Sequence, residues 1–129
     1  MDILALQEII KQAYESEVTV SEAEKHAARF LEAQITISSA LKECDLDCRM
    51  RKTGLKTLKS AIYLKEARSG EKKPSDVMIE AVINQDKLVA SAQDELDAVE
   101  VTRNEFQSHY EICREGHIFF RGIAKGRFE

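Results

Sequence analysis

From residue 23 onward, apolar side chains recur at alternating steps of four and three. The first ladder runs Ala23, Ala27, Phe30, Gln34, Ile37, Leu41, Cys44, Cys48, Arg51, Leu55, Leu58, Ile62, Lys65. A second runs Met78, Val82, Gln85, Val89, Ala92, Leu96, Val99, Arg103, Phe106, Tyr110, Cys113, His117, Phe120, Ala124. Seven-residue repeats of this length are the signature of long helices packed as in a coiled coil. Strong loop chemistry separates the ladders at Ser69-Gly70-Glu71-Lys72-Lys73-Pro74-Ser75. There Gly70 is suited to a left-handed helix end, Pro74 cannot continue a helix, and Ser75 can cap the next one. A weaker break lies between Glu15 and Ser21, where Val18, Thr19 and Val20 are β-branched and Thr19…Glu22 and Ser21…Glu24 both fit a capping box. The pattern predicts helices over about 2–15, 21–69 and 75–123, in a single helical domain spanning 1–129. At about 1.5 Å per residue each long helix reaches about 70 Å, and the short loop between them makes them antiparallel neighbours. The expected fold is all-α, a long antiparallel, coiled-coil-like helical hairpin with a short N-terminal helix at its open end.

Folding back about Lys72 places residues opposite each other when their numbers sum to 143 or 144. Ile62 then meets Val82, Cys48 meets Leu96, Ile37 meets Phe106, and Gln34 meets Tyr110 in a register-fixing hydrogen bond. Gly54 and Gly116, inside helices, each cost about 1 kcal/mol relative to Ala, so a kink or a close backbone approach is expected at both. A second apolar set lies off the seam: Leu31, Ile35, Leu46, Met50 and Leu64 on one helix, Ile79, Ile83, Val101, Ile112 and Phe119 on the other. The first helix, with Ile3, Leu6, Ile10 and Ala13, covers only the open end. The remaining apolar surface predicts self-association, with Leu31, Ile35, Leu46, Met50, Ile79, Ile83, Val101, Ile112 and Phe119 forming the oligomer interface.

Composition agrees with long helices: 33% of the 129 residues are charged, with only five Gly and one Pro. The apolar runs are too short for a membrane span. Met1-Asp2-Ile3-Leu4 lacks a basic leader before an apolar stretch, and three cysteines are an odd count without such a signal. A reducing cytoplasm is the expected compartment.

Charge changes the picture more. The net charge is −4, yet residues 49–73 hold nine bases against two acids, and residues 76–100 hold seven acids against one base. In one reading the two stretches neutralise each other through interhelical salt bridges. In the other, bases outside the seam form a stripe that tracks a phosphate backbone, with Tyr63 as a stacking platform. The stripe's candidate nucleic-acid contacts are Arg49, Lys52, Lys56, Lys59, Lys65, Arg68, Lys72 and Lys73.

Catalytic readings find little support. Glu43, Asp45 and Asp47 fall near Asp94, Glu95, Asp97 and Glu100, a carboxylate set able to hold Mg²⁺. Arg49, Arg51 and Arg103 lie among them, which points to an ion-pair network; the paired Glu-x-x-Glu and Glu-x-x-Asp helices of all-α nucleotide pyrophosphohydrolases are missing. Cys113 and His117, with His26 opposite, offer three zinc-type donors without a fourth. No Ser or Cys has a plausible His and acid pairing, and no glycine-rich phosphate loop occurs. No enzyme activity, metal or cofactor is expected.

The opening from Ile3 to Ile10 is Leu-x-x-x-Gln-like, and the basic helix ends in Tyr63-x-x-x-Ala67-Arg68-Ser69-Gly70. Gln85-Asp86-Lys87-Leu88-Val89 and the terminal Arg121-Gly122-Ile123…Arg127-Phe128-Glu129 follow. With these features the chain resembles the UvsY-type recombination mediators of tailed bacteriophages. The resemblance implies a ring-forming helical protein that binds single-stranded DNA and helps load a recombinase. Its partners would be other copies of itself, single-stranded DNA and a recombinase. Two other classes stay open: a helical protein-interaction module (scaffold, assembly factor or inhibitor), and an inter-subunit pocket sequestering a small phosphorylated ligand.

Overall fold

The computed structural model describes residues 3–15, 19–70 and 72–126. It contains α1 (Ile3–Glu15), α2 (Val20–Ala67), α3 (Asp76–Gln85) and α4 (Lys87–Ala124), with no strand among the described residues. Of the residues singled out from the sequence, Met1, Asp2, Val18, Glu71 and Arg127-Phe128-Glu129 lie outside the described residues.

Side-chain caps set several boundaries. Thr19 opens α2: its Oγ1 accepts the Glu22 N–H at 3.2 Å and its carbonyl accepts the Ala23 N–H at 2.8 Å. Ser75 opens α3, its Oγ accepting the Met78 N–H at 3.3 Å. The end of α2 differs from expectation. Gly70 is not left-handed; the only positive-φ glycine among the described residues is Gly126, at 73°, just past α4. Instead α2 tightens at its end, with the Arg68 and Ser69 N–H groups donating to Lys65 and Glu66 carbonyls three residues back.

The larger correction concerns the helix expected over 75–123, which is two helices. Asp86 sits between them in an extended conformation (φ −69°, ψ 128°), and its N–H closes α3 on the Ile83 carbonyl. Its Oδ1 accepts the Leu88 N–H at 2.9 Å and the Val89 N–H at 3.1 Å, opening α4. Aspartate competes with the helical ladder by bonding nearby backbone in this way. The break resets the helical phase, so the ladder Met78, Val82, Gln85 does not continue into Val89. Ile79 and Ile83 are 0% and 8% exposed, while Met78 and Val82 are 63% and 41% exposed. Ile79 and Ile83 therefore belong to the core and not to an oligomer interface, and Ile62 packs on their cluster.

The chain packs as two compact units: residues 1–43 with 103–129 (unit 1), and residues 44–102 (unit 2). In unit 1, Leu6 and Ala13 of α1, Ala23, Ala27, Phe30, Ala33 and Ile37 of α2, and Cys113 and Phe120 of α4 form one core. The α2 and α4 segments run antiparallel there. Gln34 donates to the Tyr110 hydroxyl at 3.1 Å, as the register predicts, and the His117 Nδ1–H donates to the Ala27 carbonyl at 3.0 Å. Phe106 packs on the cluster that holds Ile37. The close approach expected at Gly116 is present, since a Cβ there would lie 2.9 Å from three Phe30 ring atoms; at Gly54 it would meet nothing within 4 Å. In unit 2, Leu55 of α2, Ile79 and Ile83 of α3, and Val89 and Leu96 of α4 are the core, with Leu58, Ile62 and Tyr63 packed against it.

Candidate nucleic-acid interface

Residues 49–63 of α2 carry the basic face. At 3.6 residues per turn, Arg49, Lys52, Lys56, Lys59 and Tyr63 fall within a sector of about 80°, a stripe along one side of the helix in unit 2. By the same geometry Lys65 points about 180° away from Lys56. Arg68 follows the end of α2, and Lys72 and Lys73 lie before α3. The eight residues expected to contact nucleic acid thus do not make one track. Four of them align.

Ion pairing is selective. Arg51, a seam position, joins two acids: its Nε lies 3.0 Å from Asp47 Oδ1 and its Nη1 2.8 Å from Glu95 Oε2. Lys52 Nζ lies 3.5 Å from Glu100 Oε1, and Lys73 Nζ lies 3.9 Å from Asp76 Oδ1. Among the described residues, Arg49, Lys56, Lys59, Lys65, Arg68 and Lys72 have no acid within ion-pair distance. The interhelical bridges therefore consume Arg51 and Lys52 and leave most of the basic face solvated.

Tyr63 sits where the stripe meets α3. Its hydroxyl donates to Asp76 Oδ1 at 3.0 Å, and Lys73 Nζ stands 5.6 Å from its ring centroid. The Tyr63 oxygen first, and then the Asp76 carboxylate, push the Lys73 pKa above its ordinary value. Beside this group lies a cleft of about 550 Å³. One side carries Lys52, Lys56, Lys59 and Tyr63, and Asp76 and Glu80 of α3 contribute carboxylates. Leu55, Ile83 and Leu96 supply its buried apolar lining. The lysine spacing was visible in the sequence. Glu80 and the cleft were not, because the expected phase of α3 was wrong.

His26, His117 and Cys113 take part in the packing of unit 1. The His26 ring lies 5.0 Å from that of Phe120, His117 is held by the Ala27 carbonyl, and burial pushes the Cys113 thiol up. All three cysteines are free thiols. Among the described residues no three His, Cys, Asp or Glu side chains group as a metal site would require. Of the expected interface residues, Leu31, Ile35, Ile112 and Phe119 in unit 1 are exposed, as are Leu46, Met50 and Val101 in unit 2. Among the described residues no helix is long and apolar enough to cross a membrane. Compared with protein-family models, curated proteins and solved structures, the chain matches none.

Proposed function

We propose that this chain is a non-catalytic, self-associating accessory protein that binds single-stranded nucleic acid through the basic face of α2 and docks a recombinase, as a recombination mediator does. The observation that carries the reading is the lack of acid partners, among the described residues, at Arg49, Lys56 and Lys59, three members of an aligned stripe. Cations left in water on one helix face are available to replace the counterions of a phosphate backbone. Had the acids of residues 76–100 neutralised the stripe, little gain would remain from binding a strand. The exposed Leu46, Met50 and Val101 in unit 2, and Leu31, Ile35 and Ile112 in unit 1, support assembly with further copies.

Fluorescence anisotropy with a labelled single-stranded oligonucleotide tests the reading, with light scattering to follow assembly size. Three phosphate contacts, from Arg49, Lys56 and Lys59, predict that log affinity falls against log salt with a slope of about −2. Lys56→Ala and Lys59→Ala should each reduce that slope by about one unit. Absence of binding at low salt by an intact assembly rejects the proposal. The same exposed apolar residues favour a second reading, a helical interaction module that docks a protein partner without nucleic acid, and that result would leave it standing.

A further inference from the structure

The cleft in unit 2 has an arrangement that a purely electrostatic strand track does not need. A stripe of lysines alone would serve phosphates. Here the lysines border a concavity with an apolar lining and a carboxylate on a different helix. Its volume of about 550 Å³ falls within the roughly 300–1,000 Å³ of small-molecule sites.

The two carboxylates are not equivalent. Asp76 already accepts the Tyr63 hydroxyl and lies near Lys73. Glu80, one turn further along α3, is exposed and has no hydrogen bond or ion pair among the described residues. The cleft therefore presents cations, an apolar surface, an aromatic ring and one unengaged acceptor. A nucleotide has the matching parts: an anionic phosphate, a flat face that prefers apolar or aromatic contact, and a base edge with hydrogen-bonding groups.

Resting on the strand-binding reading above, we propose that this cleft is a base subsite that takes one unstacked nucleotide of the bound strand and selects an amino-bearing base. Lys56 and Lys59 hold the flanking phosphates, and the base lies against Leu55, Ile83 and Tyr63. Glu80 accepts from the exocyclic amine. Cytosine offers such a donor at N4, whereas thymine presents the O4 acceptor there, which a carboxylate repels.

Anisotropy titrations with oligo(dC) and oligo(dT) of equal length at neutral pH and fixed salt test this. Both are pyrimidine runs, so the comparison holds ring size constant and changes the base edge, and oligo(dU) serves as the control for thymine's methyl group. Oligo(dC) should bind about tenfold more tightly, the size of one charge-assisted hydrogen bond. Glu80→Ala, which removes the acceptor altogether, should erase the preference for oligo(dC) over oligo(dT), with helix content checked by circular dichroism. Equal binding of the two strands by the native protein overturns the base subsite and leaves strand binding standing. So does a full oligo(dC) preference retained by Glu80→Ala. Binding to neither strand overturns the strand-binding reading and the subsite with it.

Discussion

Unit 1 closes three helical segments over aromatic rings. Phe30 and Phe120 stack with centroids 5.8 Å apart and planes 10° from parallel, and Tyr14 and His26 lie against Phe120. Ala13, Ala23, Ala27 and Ala33 line the same core, and Gly116 admits the Phe30 ring. Unit 2 also joins three segments, but its core is aliphatic, with Tyr63 half-buried beside it and a cleft along the basic face. In unit 1 large rings are fitted into spaces made by small residues. Shorter aliphatic side chains beneath long lysines leave a concavity whose rim is charged. Unit 1 thus packs around rings, and unit 2 around aliphatic side chains beside a charged cleft.

The largest test of that division is Phe30→Ala. Removing a fully buried ring should cost about 3–5 kcal/mol in urea unfolding. Amide hydrogen exchange should accelerate mainly in residues 20–43 and 103–124. Equal acceleration throughout residues 44–102 would show the two units opening as one cooperative element.

The paired glycines come next. Gly116→Ala drives a methyl into the Phe30 ring and should cost about 1–3 kcal/mol. Gly54→Ala meets open space in a helix and should stabilise by about 0.5–1 kcal/mol. Opposite signs in matched denaturation curves are the expected result; a loss at both positions would place an unseen close approach at Gly54.

The smallest effect is in pH dependence. Burial raises the Cys113 pKa, so the folded state favours the neutral thiol. That stability is present in full below the unfolded thiol value, about 8.5, and is lost as pH rises through the higher folded value. Tyr14, raised by burial and then by the Glu115 charge, adds a later decline in the same unit. Urea midpoints followed into alkali should fall, and Cys113→Ala should flatten the earlier part of that fall. An unchanged slope in this variant would assign the loss elsewhere.

Features that depend on neighbours in sequence, or on a strict period, were legible without a structure. Thr19 and Ser75 cap helices because an oxygen side chain faces backbone N–H groups three residues ahead, wherever the rest of the chain goes. Gln34 and Tyr110 meet because an unbroken period carries register from Phe30 to Ile37 and from Phe106 to Cys113. The aligned lysines follow from helical spacing alone.

Tertiary packing decided the remainder. An aspartate inside an apolar pattern can ride on a helix surface or break it, and the local cost of either is small. At Asp86 the break lets Ile79 and Ile83 turn into a core with Leu55 and Leu96, and burying two isoleucines outweighs the lost helical hydrogen bonds. That rotation sent Met78 and Val82 outward and put Glu80 opposite the lysines. Helix content, the Thr19 and Ser75 caps and the spacing of four aligned bases were written in the order of residues. The division into two cores, the phase of α3 and the cleft arose only when distant segments competed for the same buried volume.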